Sequence, residues 1–247
     1  MNGKVALVTG ASRGIGRATA KLLAAEGAAV AVNWFQSEIA AITLVEEIVN
    51  AGGRAKAVRA DVRDGEQVRS MVEEVENCLG PVDLLVNNAS IGFPVKPFMQ
   101  FSWDEFEAKL GGELKSMFFC CQAVLPGMIE RGTGSIIAIS STLSRHSSPG
   151  FIAHSTAKSG LDAFVRSLAE EVGPFGVRVN VVAPGLTLTD ATSWLPEEQK
   201  AMMAEMTPLK RVALPEDVAG VVLAVASDHS RFVTGCYIPV SGGMLML

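Results

Sequence analysis

Two groups of residues in this 247-residue chain have types and spacings suited to chemistry. The first is Thr9-Gly10-Ala11-Ser12-Arg13-Gly14-Ile15-Gly16, which follows an apolar strand-like run and leads into the helical pattern RATAKLLAAEG. Glycines let the backbone turn sharply and come close to a pyrophosphate, while the N-terminus of the next helix offers unpaired N–H groups and a partial positive charge. Because strand, turn and helix follow in the required order, a dinucleotide site is expected here rather than a tight turn alone. The second group is His154 and Lys158, four positions apart and therefore on one face of a helix. An imidazole with its ordinary pKa of ~6.5 can give or take a proton near neutrality.

The end of the second strand-like run bears on which dinucleotide binds. An acidic residue there would hydrogen-bond the ribose hydroxyls and repel a 2′-phosphate. The chain instead reads Asn33-Trp34-Phe35-Gln36-Ser37, and Arg13 lies in the glycine turn, where a guanidinium suits a phosphate. NADP is the expected cofactor, with NAD as the alternative, and Phe35 supplies no second cation. No metal site is expected, because Cys78, Cys120, Cys121 and Cys236 form no CxxC pair and have no histidine at ligand spacing. Buried, reduced thiols are the expectation for all four.

These groups need a scaffold. Composition, with 49% hydrophobic, 19% charged and 6% aromatic residues, fits one globular domain spanning residues 1–247. Apolar runs at Val5 to Val8, Val30 to Asn33, around Ala55, at Asp83, Ser135 and Val177 alternate with amphipathic stretches. That order implies parallel strands joined by right-handed crossover helices, an α/β doubly wound sheet of about seven strands with helices on both faces. Such sheets bind ligands beyond the carboxyl ends of the strands, where strand order reverses. The irregular stretch at about 186–215 reads as a substrate lid, with a Met-rich helix that Pro196 starts as its first residue. Met202, Met203 and Met206 either cover an apolar ligand or pack that helix onto the body.

The formal net charge of −5, with scattered Lys and Arg, argues against a nucleic-acid partner. No apolar run reaches the ~18 residues of a membrane span, and the start MNGKVALVTGASRG lacks an apolar signal core, so a cytoplasmic protein without membrane attachment is expected.

With TGASRGIG followed by DLLVNNAS, SIIAISS, AKSGLDAFVRSLAEE, RVNVVAPG and VSGGM, the chain resembles the short-chain dehydrogenase/reductase family over essentially its whole length. Its spacing is most similar to the 3-oxoacyl-[acyl-carrier-protein] reductase and acetoacetyl-CoA reductase branch. The resemblance implies a Rossmann-type fold and a homo-oligomer, commonly a tetramer. It also implies that Gly10, Ser12, Arg13, Gly14, Ile15 and Gly16 hold the pyrophosphate and adenosine end of the cofactor, and that Asp61 and Val62 flank the adenine. Asn88, Ala89 and Ser90 would lie beside the ribose, where Ser90 departs from the family's glycine. Pro184, Gly185, Thr187 and Thr189 would cover the nicotinamide carboxamide.

The family's catalytic set is Asn, Ser, Tyr and Lys. Ser141 and Lys158 match it, but His154 stands where the tyrosine belongs and Glu113 where the asparagine belongs. Lys158 would disfavour an imidazolium and Glu113, if near, would favour it. His146 and His229 have no such context and read as surface residues.

Three functions fit this pattern. The first is an NADP-dependent reductase of a 3-oxoacyl thioester, ketone or polyketide-like carbonyl, with Ser141, His154, Lys158 and Glu113 as its catalytic set and activity titrating near an ordinary histidine pKa. The second is a catalytically compromised member serving as a structural or regulatory subunit of a hetero-oligomer with an active relative, with Phe118, Phe164 and the GGMLML end as candidate assembly surfaces. The third is a non-redox proton-transfer enzyme, an isomerase or dehydratase.

Overall fold

The computed structural model describes residues 1–246. Seven strands form one parallel sheet in the order β3-β2-β1-β4-β5-β6-β7. They are β1 (Val5–Val8), β2 (Ala29–Trp34), β3 (Arg54–Arg59), β4 (Leu84–Asn87), β5 (Gly134–Ile139), β6 (Val177–Pro184) and β7 (Tyr237–Val240). The helices are α1 (Gly14–Ala25), α2 (Glu38–Asn50), α3 (Gly65–Leu79), α4 (Trp103–Arg131), α5 (Ile152–Val172), α6 (Glu197–Met206) and α7 (Pro215–Ala226).

The two-residue period of the strands divides the core in two. Val5 and Leu7 of β1 join Ala29, Ala31, Ile136 and Ala138 on one face, against Val68 and Val75 of α3, Met117 and Val124 of α4, and Leu161 and Val165 of α5. Ala6 and Val8 join Val30, Val32, Ile137 and Ile139 on the other, against Ala20 and Leu23 of α1, Leu44 of α2 and Val222 of α7. Strands apolar on both faces are thus covered on both faces, as the sequence pattern requires.

Several local expectations need correction. β7 is not among the apolar runs visible in the sequence. It pairs only with β6, its residues are half-buried, and Pro239 is tolerated at such an edge. Pro196 sits one residue before α6, in the N-cap position with ψ 146°, rather than in its first turn. Met202 and Met206 are 56% and 60% exposed, so neither packs α6 onto the body. Cys120 and Cys121 are buried as expected, but Cys78 and Cys236 are exposed. Phe118 is exposed whereas Phe164 packs against the core. The GGMLML end is described as far as Met246, which is exposed, and Leu247 lies outside the described residues. Among the described residues no helix is long and apolar enough to cross a membrane.

Candidate active site

Strand order reverses between β1 and β4, which opens a crevice at their carboxyl ends. The two strand ends are tied together there. Thr9 Oγ1 accepts hydrogen bonds from the backbone N–H groups of Asn88 (2.9 Å) and Ala89 (3.0 Å), and Asn88 Nδ2 donates to the carbonyls of Thr9 (2.8 Å) and Gly10 (3.1 Å). Buried Asn33 of β2 accepts from the N–H of Gly10.

The glycines of this turn have physical reasons. Gly10 and Gly14 have φ of +59° and +55°, where side chains are strained. A Cβ on Gly16 would lie 2.4 Å from Asn88 Nδ2 and 2.7 Å from the Gly10 carbonyl oxygen. α1 starts with Arg13 in the N-cap position, making no side-chain cap, and with no acidic residue in its first turn. Its N-terminal N–H groups and positive dipole end are therefore left for an external anion, so the residues present fit a dinucleotide pyrophosphate. The loop after β6 arches over this turn. Thr189 Cγ2 would be 3.4 Å from a Cβ on Gly14, and Thr187, whose hydroxyl donates to the Gly185 carbonyl, is buried beyond Pro184. Further along, the Trp194 indole N–H donates to the Ala191 carbonyl while the ring is 58% exposed.

At the end of β2, where the adenosine was expected, the fold supplies a cation that the second strand lacks. Trp34 pairs in register with Arg59 of β3, and the Arg59 guanidinium lies 5.8 Å from the Trp34 ring and 5.5 Å from the Phe35 ring. Arg13 is exposed and makes no side-chain hydrogen bond. Asp61 is held by Arg63 at 2.6 Å, which keeps its carboxyl below the usual range, and the Val62 side chain belongs to the core. Ser12 is nearly buried and Ile15 packs against the core beneath the turn.

The candidate catalytic positions come from three elements. α4 delivers Glu113, 1% exposed, to the middle of the cluster. Its Oε1 accepts from the Ser90 hydroxyl (2.6 Å), the Ile91 N–H (3.1 Å) and the Lys109 ammonium, and its Oε2 accepts from Lys158 Nζ (2.8 Å). Lys158, on α5, also donates to the Ile139 carbonyl at 2.8 Å. Burial alone would raise the Glu113 pKa, but the charges of Lys158 and Lys109 and their hydrogen bonds outweigh it and hold the carboxyl well below the ordinary range. Ser141, just past β5, accepts from the Leu143 N–H, and its carbonyl accepts from the Tyr237 hydroxyl at 3.1 Å. Behind it, Asp162 accepts from the hydroxyls of Ser140 and Ser144, both at 2.6 Å.

His154 shares the α5 face with Lys158, and its ring stacks on Phe93 with centroids 4.7 Å apart. Burial first, then the charges of Lys158 and Lys109, push its pKa down to about 3, against a weaker upward pull from Glu113. A value that low is at odds with the expectation of activity titrating near an ordinary histidine pKa. A pKa this far down favours the neutral imidazole near pH 7. Its Nδ1 is buried without a hydrogen-bond partner, whereas Nε2 is not. An N–H buried without an acceptor is costly, so the hydrogen belongs on Nε2.

The cluster brings together Glu113, Lys158 and Ser90, whose hydroxyl works as a ligand of the carboxylate. Glu113 is sealed from solvent, and it bonds the two lysines rather than His154. His146 and His229 are exposed, as expected. Four contributors are not evident from the sequence: Lys109, Phe93, Tyr237 and Arg59. Only Lys109 left a signal, its spacing four residues before Glu113, where opposite charges meet on a helix. Among the described residues no cluster suited to a metal occurs.

Comparisons with known proteins bear on the family of the chain. A family model described as "Enoyl-(Acyl carrier protein) reductase" matches residues 10–245. The 3-oxoacyl-[acyl-carrier-protein] reductase FabG of Staphylococcus epidermidis is 40% identical over 243 residues, covering 98% of this chain and 99% of that one. The 3-oxoacyl-[acyl-carrier-protein] reductase of Synechocystis is 38% identical over 247 residues, covering 100% and 98%. Among solved structures, a blue fluorescent protein from a metagenomic library in complex with NADPH superposes with a TM-score of 0.91 at 38% identity, covering 99% of each chain. From the reversed strand order, the glycine turn and these full-length likenesses, the chain belongs to the short-chain dehydrogenase/reductase family.

Proposed function

We propose that the protein is an NADP-dependent reductase of carbonyl compounds, with 3-oxoacyl thioesters as the substrate class. The observation that carries this reading is the uncapped α1 N-terminus opening onto the same crevice end that receives Ser141, His154 and Lys158. Bound NADPH would supply the hydride that adds to the carbonyl carbon. The Ser141 oxygen already accepts from Leu143, so its own O–H is free to donate to the substrate oxygen. His154 offers that oxygen a second hydrogen bond from neutral Nε2–H, and the proton that completes the alcohol enters from solvent. Lys158 uses two of its three N–H groups on Glu113 and Ile139, which leaves one for a ribose hydroxyl. Residues 186–215 act as the lid, with the exposed Met202 and Met206 presenting apolar surface to the acyl chain. The assembly in this reading is a homotetramer.

Arg13 and Arg59 select the 2′-phosphate. Arg13→Glu is expected to weaken NADPH binding ~10²-fold while changing NADH binding little, since a charge-assisted contact is replaced by repulsion. Fluorescence titration with the two coenzymes checks this.

The test of the activity is NADPH oxidation with acetoacetyl thioesters and simple ketones. Turnover should show no acid limb between roughly pH 5 and 8, because the His154 ring, with its pKa pushed down to about 3, does not change charge there. A limb centred near ~6.5 would place an ordinary titrating histidine in the mechanism. A second reading, a family member that binds the coenzyme without turnover, is favoured by the same neutral imidazole. It predicts NADPH binding with no oxidation by any carbonyl in the panel.

A further inference from the structure

Lys109 is fully buried, yet it is a lysine. Its ammonium donates to Ser90 Oγ at 3.0 Å, to the Ile91 carbonyl at 2.6 Å and to Glu113 Oε1, so all three of its hydrogens are used. Two cations and one anion leave the unit Lys109–Glu113–Lys158 with a net charge of +1. Without Lys109, the Glu113 carboxylate would cancel the charge of Lys158 and be free to swing its second oxygen toward it. On its other side, the Lys109 ammonium lies 4.9 Å from the Phe93 ring centroid, and that ring carries His154. Lys109 thus reaches both groups that face the crevice without touching it.

We propose that Lys109 is a positioning residue of the active site, which restores across Glu113 the positive charge and fixed orientation that Lys158 needs to hold the NADPH ribose. The proposal rests on the coenzyme reading of the preceding subsection and deepens it.

Lys109 also makes this role measurable. The groups facing it are Glu113 on α4, Lys158 and His154 on α5, and the Ser90 hydroxyl, Ile91 carbonyl and Phe93 ring from the loop after β4. Burial lowers its pKa, Glu113 raises it and Lys158 lowers it again, leaving it at about 8. Loss of that proton leaves Glu113 and Lys158 as a neutral pair and turns the whole carboxylate onto Lys158.

The experiment is NADPH affinity, by fluorescence, between about pH 7 and 9.5, with folding monitored by circular dichroism. The wild-type protein should bind at least about tenfold more weakly once the pH has risen through the Lys109 transition. The double variant Lys109→Met/Glu113→Asn, which carries the same +1 on Lys158 alone, should bind NADPH with no such step. Lys109→Arg, whose guanidinium keeps its charge, should likewise hold its affinity constant across the range. A wild-type protein without the step, or a folded double variant or Lys109→Arg variant that retains it, would overturn the proposal. Carbonyl reduction is no part of this readout. A step without any turnover removes the reductase reading alone, and turnover without a step removes the positioning role alone.

Discussion

Lys109→Met is expected to destabilise the fold by about 3–5 kcal/mol, the usual consequence of removing one partner from a buried ion pair. The loss comes less from the bond itself than from what remains. Glu113 is 1% exposed and would keep its charge with one cation instead of two, while the Ile91 carbonyl and Ser90 hydroxyl would lose their donor. For a chain of this size such a change lowers the melting temperature by roughly 10 °C or more. Urea denaturation, read by circular dichroism, measures it. Adding Glu113→Asn to the same chain should recover most of the stability, because the uncompensated carboxylate is then gone. A Lys109→Met protein as stable as wild type would mean that Glu113 is solvated or protonated in solution.

His154→Tyr is the substitution with the largest expected gain. Position 154 stands four residues before Lys158 on α5, so a phenol there would lie on the same face as the ammonium. A neutral imidazole holds its Nε2 proton strongly and serves as a hydrogen-bond donor, whereas a phenol with an unperturbed pKa of ~10 releases its proton far more readily beside a cation. A well-placed proton donor is worth ~10²–10⁴ in rate, and the lower figure is expected for kcat on acetoacetyl thioesters, with NADPH affinity little changed. An unchanged or lower kcat would identify the imidazole as the working donor.

The parts of the molecule legible in the sequence are those set by local order. The turn Thr9 to Gly16 declared itself because glycines, strand and helix are contiguous there. β1 and β5 declared themselves because both faces of each are apolar. β7 did not, because an edge strand with half-buried residues and a proline carries little apolar signal. The candidate site was legible as a set of positions and illegible as an electrostatic unit. A lysine in a helix reads as solvated, and only the packing of α4 against the loop after β4 reveals that Lys109 is sealed. The His154 pKa depends on burial and on two ammonium groups from different helices, which no spacing along the chain encodes. Arg59 was invisible for a related reason: it reaches Phe35 only through the register that pairs it with Trp34 on the adjacent strand.

Trp194, with its indole N–H fastened to the Ala191 carbonyl, rides on the segment that follows the arch over the glycine turn. An indole emits at wavelengths that a reduced nicotinamide absorbs, so energy passing between them would dim the tryptophan as the segment folds down over the coenzyme. In the reading proposed above, and with Trp34 and Trp103 replaced by phenylalanine, that dimming would report closure of residues 186–215 without an attached dye.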